Sequence, residues 1–308
     1  MTGTKAIQLR AGQSSLTLYP ALGGMINALE FATPQGVRNV IDGVAPGELP
    51  HNPGYRSAVL FPFPNRLRDG RYQFAGKRYQ FAVNEAATQT ALHGFLHRTE
   101  ARVVGQEQTA EAHSITLSYA CKAEPGYPFA VDVELSYTLR AEGALDVELT
   151  VTNRDAEPIP LGTGWHPYYT LGCDLAECHL QTPDIQRCAI DDRMLPTGDY
   201  VADQRFSAPT LLGDTALDNC FALDGSVEGE QCVRFFNKSA GFGLALWQRT
   251  GVHGMNFLQL YTPPERQSLA VEPMSCGIDA LNTGEGLQVL EPGQQYQGAF
   301  GVRLIKSV

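Results

Sequence analysis

Basic charge is what this sequence has least of. Lys and Arg number 23 against 33 Asp and Glu, which leaves a formal net charge of -10 over 308 residues. Nucleic-acid binding needs clustered cations to neutralise phosphates, and anionic lipid surfaces need the same, so neither is an expected partner. Long apolar runs are also missing. No segment approaches the roughly 20 apolar residues of a spanning helix, and the opening MTGTKAIQLRAGQSSL has no apolar signal core. A cytoplasmic protein is the expectation. Cysteine is sparse and odd in number, at 7, which excludes a fully paired disulfide framework in a chain of this size. The one local group, Cys173, Cys178, His179 and Cys188, is spaced too loosely for a structural zinc site. Buried reduced thiols are expected there, with no metal.

Helical periodicity is also absent. No stretch of about ten or more residues carries a clear 3.6 repeat, and 31 glycines and 19 prolines punctuate the chain. Alternation takes its place. In VDVELSYTLR (131–140), Val131, Val133, Leu135, Tyr137 and Leu139 share one face, and Asp132, Glu134, Ser136, Thr138 and Arg140 share the other. LDVELTVTN (145–153) repeats the pattern after a turn at Glu142-Gly143, and SITLSYAC (114–121) supplies a further strand. RYQFAGKRYQF (71–81) reads as a hairpin around Gly76, and IQL and LTLYP flank a turn at Ala11-Gly12-Gln13. The connections are too short for parallel crossovers, so the strands should pair antiparallel. One domain, residues 1–308, is expected. Alternation alone leaves sandwich and barrel open.

Five stretches interrupt this pattern with polar residues of specific type. FPFPNRLRDG holds Asn65 and Arg66 behind two stiffening prolines. ALHGFLH places His93 before a glycine, and His97 four residues later in no helical context. GTGWHPYYTL sets His166 among a tryptophan and two tyrosines, ALDNCF carries Asp218, and LAVEPMSCGIDALN carries Glu272 at the end of an apolar run. Taken singly, each has a plain structural reading: a solvated loop arginine, a turn histidine, an Asx turn, a strand-end glutamate.

Together, and in this order, the five stretches resemble the aldose 1-epimerase (galactose mutarotase) family, from about residue 16 to the C-terminus. NRLRDGRYQFAGKRYQFAVNE is similar to the family's Asn-Arg segment, LHGF to its first histidine motif, GTGWHPYYTL to its second, and VEPMSCGIDALN to its glutamate motif. The departures are Phe95 after His93-Gly94, Ile278 before Asp279-Ala280, and Pro167 with Tyr168 and Tyr169 after His166. The resemblance implies an all-β fold, a large antiparallel β-supersandwich with its site in a cleft on a sheet. It implies His166 as general acid toward a pyranose ring oxygen and Glu272 as general base toward the anomeric hydroxyl. It also implies Asn65, Arg66, His93, Asp218 and Tyr261 around a sugar substrate, and no cofactor. The aromatic residues about His166 would then be walls of a sugar site.

The chemistry suits the residue types in its own right. Ring opening delivers one proton and removes another on oxygens of the same carbon, a task for paired acid and base. An unperturbed histidine of pKa about 6.5 is roughly one quarter protonated at pH 7, and a nearby Glu272 is expected to raise that fraction. Three other readings remain. A hexose-6-phosphate epimerase would grip phosphate through Arg66, Arg68, Arg71, Lys77 and Arg78. A non-catalytic sugar-binding protein could share the fold. A polysaccharide lyase would need a base and charge neutralisation beside a uronate, for which no strong signal is present.

Overall fold

The computed structural model describes residues 5–121 and 123–308. Two large antiparallel sheets face each other. The first runs in the order Ala101–Gln108, Ala112–Tyr119, Val131–Arg140, Ala144–Asn153, Gln295–Ile305, Phe242–Thr250, Gly229–Asn237, His179–Gln181, Thr210–Leu211. The second runs Pro196–Asp203, Ile185–Ile190, Asp218–Leu223, Phe257–Tyr261, Leu269–Met274, Gly164–His166, Ala58–Leu60, with Tyr168–Tyr169 joined to Leu269–Met274. A smaller sheet, Ile7–Ala11 through Gly36–Asn39, and three two-stranded pairings complete the assembly. The expected β-supersandwich is the fold. Among the described residues, no helix is long and apolar enough to cross a membrane.

The alternation read from the sequence determines which faces meet. Val131, Val133, Leu135, Tyr137 and Leu139 are buried in register against Asn153, Val151, Leu149, Val147 and Leu145 of the next strand. The hairpin expected around Gly76 pairs Arg71–Phe74 with Lys77–Gln80. One contiguous hydrophobic cluster takes residues from both large sheets. It includes Trp165, whose ring stacks on Phe300 of the opposite sheet at 5.6 Å and 27°, while its indole N–H donates to the Ser57 carbonyl at 3.2 Å.

In the second sheet the same period sorts side chains toward different tasks. Leu258, Leu260, Leu269, Val271, Phe221 and Trp165 turn inward to the common core. Gln259, directly across from Glu272, and Asp218, across from Tyr261, belong to the opposite face. That face is apolar at one end, where Cys220, Phe257 and Met274 cluster. Its polar end becomes the floor of a cleft.

Candidate active site

The stretch Gly162–His166 can carry a tryptophan into the core and a histidine into the cleft because neighbouring strand residues point oppositely. Its glycines are required by close approach. A Cβ at Gly162 would stand 2.2 Å from Cys276 Sγ, and one at Gly164 would stand 3.1 Å from Pro64 and 3.0 Å from the Pro273 carbonyl. The strand is thereby pressed against the segments that carry Asn65 and Glu272. His166 and Glu272 are brought together, with Nε2 3.4 Å from Oε1 and side chains only 8% and 2% exposed. His166 Nδ1 and Glu272 Oε2 are buried with no protein hydrogen-bond partner among the described residues.

The cleft around this pair has a volume of about 350 Å³, near the lower end of the roughly 300–1,000 Å³ typical of small-molecule sites. Every site residue expected from sequence lines it: Asn65, Arg66, His93, His166, Asp218, Tyr261 and Glu272. Asn65 and His93 hold each other in place. Both have left-handed backbones, with φ of 58° and 65°. The Asn65 amide donates to His93 Nδ1 at 3.1 Å, and the His93 amide donates to the Asn65 carbonyl at 3.0 Å. Because His93 Nδ1 accepts, its proton sits on Nε2. Burial, with a smaller contribution from His166, holds His93 well below the ordinary histidine pKa, so it is a neutral N–H donor.

Sequence reasoning missed Glu85, Gln259 and Tyr55, which also shape the cleft. Glu85 receives Arg66 through Nε at 2.7 Å and Nη2 at 2.8 Å, a bidentate pair that fixes the guanidinium plane. The Thr88 and Thr90 hydroxyls also donate to Glu85, at 2.5 and 2.8 Å. Burial pushes the Glu85 carboxyl upward, but these hydrogen bonds outweigh it and hold it below its usual range. Gln259 joins two distant residues, accepting from Asn65 Nδ2 at 3.1 Å and donating to Asp218 Oδ1 at 2.8 Å. Tyr168 lies parallel to His166 at 5.0 Å and is crossed by Tyr261 at 6.2 Å. Tyr55 meets the edge of His93 at 4.7 Å. The aromatic run after His166 signalled Tyr168; nothing local signals Glu85, Gln259 or Tyr55.

One electrostatic expectation is reversed. Glu272 was expected to favour imidazolium, yet burial pushes His166 down to about 3. Burial, reinforced by Asp218 and opposed by Arg66, pushes Glu272 well above the usual carboxylate range. Desolvation acts on both partners and exceeds their attraction, because each lies in a site that excludes water from both charges. The favoured form is imidazole beside carboxylic acid. Asp218 is displaced upward too, by partial desolvation, with Arg66 opposing.

The sequence cluster around Cys173 does not converge. Cys173 and Cys178 lie together, Cys188 belongs to a separate cluster with Cys220, and His179 stacks on Phe236 at 5.2 Å. No group of three His, Cys, Asp or Glu residues able to hold a metal occurs among the described residues. Of the cations expected to grip a phosphate, Arg66 lines the cleft, whereas Arg71 and Arg78 border a different hollow beside Asn282. Arg68 turns toward Asp279, at 3.5 Å.

Comparison with known proteins gives a consistent result. The model of the family described as aldose 1-epimerase matches residues 5–303. The chain is 30% identical to the uncharacterized protein YihR of Escherichia coli K12, covering 97% of this chain and 92% of that one. It is 27% identical to galactose mutarotase of Bos taurus, covering 94% and 90%. In structure it is similar to a galactose mutarotase-like protein of Clostridium acetobutylicum, with a TM-score of 0.85 over 98% of this chain and 96% of that one at 20% identity; that likeness is one of fold alone.

Proposed function

The chain belongs to the aldose 1-epimerase family, and from that premise we propose that it interconverts the α and β anomers of a free aldohexose. The observation that carries this reading is the His166–Glu272 pair, 3.4 Å apart at the buried end of the cleft. Ring oxygen and anomeric hydroxyl are bonded to the same carbon, so acid and base must stand side by side, and these do. His166 delivers a proton to the ring oxygen and Glu272 removes one from the anomeric hydroxyl. The ring opens, the C1–C2 bond rotates, and closure on the other face reverses the two roles.

The neutral state of the pair fits this scheme. Imidazole with carboxylic acid and imidazolium with carboxylate contain the same single proton. Moving it from Glu272 to His166 prepares the reactive form without exchange with bulk water. Sugar hydroxyls that donate to the carboxylate favour that form. His93 Nε2–H and the guanidinium of Arg66 are donors at the cleft, and Asp218 is an acceptor. They would orient the hydroxyls so that the reacting oxygens meet the pair, and Tyr168 and Tyr261 would cover the apolar face of the ring.

A free sugar is favoured over a sugar phosphate by the placement of charge. Arg66 is the one Lys or Arg lining the cleft among the described residues, and its fork is already engaged by Glu85. Glu85, Asp218 and Glu272 line the same cleft. A dianion would meet carboxyl groups with no converging cation. NMR exchange spectroscopy on galactose or glucose and on the corresponding 6-phosphates tests the assignment. The free sugar should interconvert faster at equal low concentration. A phosphate turned over at least about tenfold faster, with that advantage erased by salt, would replace the reading with a hexose-phosphate epimerase.

A further inference from the structure

Outside the cleft, one pair of reactive groups has no part in the proton chemistry. Cys173 and Cys178 bracket the short 3₁₀ segment Leu175–Glu177, and their Sγ atoms are 3.5 Å apart. Cys173 is half-buried and Cys178 fully buried. Asn237, itself 2% exposed, directs Nδ2 at Cys173 Sγ from 3.2 Å. The Asn237 side chain is fixed by the Glu177 carbonyl, which accepts from Nδ2 at 3.2 Å, and by the Ala240 amide, which donates to Oδ1 at 2.8 Å. Asp174 Oδ1 accepts from the Ala176 amide at 2.8 Å and fixes the turn between the two thiols.

We infer that Cys173 and Cys178 form a reversible oxidation site, at which hydrogen peroxide converts the dithiol to an intrachain disulfide. Cys173, the less buried of the two residues, is the attacking group, and the fully buried Cys178 resolves the intermediate. The Cys173 thiolate attacks one peroxide oxygen. The O–O bond breaks, the departing hydroxide takes a proton to become water, and Cys173 becomes a sulfenic acid. Cys178 then loses its proton, its sulfur attacks Cys173 Sγ, the S–O bond breaks, and a second water leaves. Two thiols and one hydrogen peroxide thus give one disulfide and two waters. The sulfur atoms must close from 3.5 Å to about 2.05 Å.

The surroundings distinguish Cys173 from the other half-buried thiols. A hydrogen bond from Cys178, helped by Asn237 and opposed by burial, Glu177 and Asp174, holds the Cys173 thiol down to about 7. The same interaction and burial push Cys178 up. Burial pushes Cys121 to about 12 and Cys232 to about 11. At pH 7 the thiolate fraction therefore favours Cys173 by roughly 10³–10⁵-fold, and the lower nucleophilicity of a less basic thiolate removes about two decades of that. The net rate advantage is on the order of a hundredfold.

The loop is also a junction. The Leu175 amide donates to the Arg266 carbonyl at 3.1 Å, just beyond Tyr261, and the Leu212 amide donates to the Cys178 carbonyl at 2.8 Å, just before Asp218. A disulfide here would fasten the loop on which both cleft-bearing segments rest.

The test treats the native full chain with limiting hydrogen peroxide at pH 7, alkylates remaining thiols with iodoacetamide, and maps peptides by mass spectrometry. A Cys173–Cys178 disulfide is expected, two hydrogens lighter than the dithiol and reversed by dithiothreitol, forming roughly a hundredfold faster than Cys121 or Cys232 oxidises. In Cys178→Ser, Cys173 should stop as a sulfenic acid that dimedone captures. Oxidation of Cys173 at the rate of Cys121 and Cys232 would overturn the inference. So would wild-type Cys173 that accumulates as sulfenic or sulfinic acid without the disulfide.

Discussion

Replacing Glu272 by Gln and His166 by Asn, singly and together, separates a coupled acid–base pair from two independent contributors. Each substitution keeps size and packing close to the original while removing one proton-transfer function. A positioned acid or base contributes about 10²–10⁴-fold, or roughly 2.7–5.4 kcal/mol of barrier at 1.36 kcal/mol per decade. Each single variant should lose turnover in that range. The structure decides how the losses combine. Nε2 and Oε1 are 3.4 Å apart and serve two oxygens of one carbon, so removing either partner disables the same event. The double variant should fall no more than about tenfold below the weaker single variant, whereas independent actions would multiply.

Polarimetry on freshly dissolved α-sugar measures turnover, and thermal unfolding checks that each variant is folded. Stability supplies a second readout with a definite sign. Glu272 is raised in the folded protein, so its favourable contribution is complete below the unfolded carboxylate range and is lost as pH rises through the folded value. Glu272→Gln removes that loss, and the variant should be at least as stable as the parent at pH 8. Near-normal turnover in either single variant, or multiplied losses in the double one, would refute the paired mechanism.

Arg66→Ala and His93→Ala should raise KM and lower kcat together, since both would orient hydroxyls, with losses of several kcal/mol at most; steady-state kinetics unchanged in both would return them to structural roles. Because desolvation drives His166 to about 3, the acid limb of kcat/KM should fall below pH 4.5, and a midpoint at or above 4.5 would contradict the buried pair. EDTA should leave turnover unchanged, because the proposed transfers need no Lewis acid; activity lost with chelation and restored by a divalent ion would show otherwise. Trp165→Ala should destabilise by about 3–5 kcal/mol in chemical denaturation, as it removes the stack on Phe300; a loss under about 1 kcal/mol would mean that the sheets do not depend on this contact.

Alternation made the strands legible. Val131–Arg140 and the strand following it obey a local rule, burial on one side, that any ten consecutive residues can display. The histidines and Glu272 were legible only as an ordered set resembling a family. Glu85 and Gln259 were not legible, because their roles arise from partners far away in sequence: Arg66 lies 19 residues from Glu85, and Asn65 lies 194 from Gln259. The direction of the His166 shift failed for a related reason. Sequence supplied the neighbouring carboxyl group but not the depth at which both groups are covered, and depth decides between attraction and desolvation.

The mutual clamp of Asn65 and His93 has a consequence for engineering sugar range. Both backbones occupy conformations that β-branched residues avoid, and the ring nitrogen of one holds the amide of the other. A library that randomises these two positions would mostly sample misfolded loops and yield little information about substrates. Diversity is better placed at Tyr261, a strand residue whose ring lines the same cleft and whose exchange would alter which substituents fit while leaving the proton pair and the Asn65–His93 clamp undisturbed.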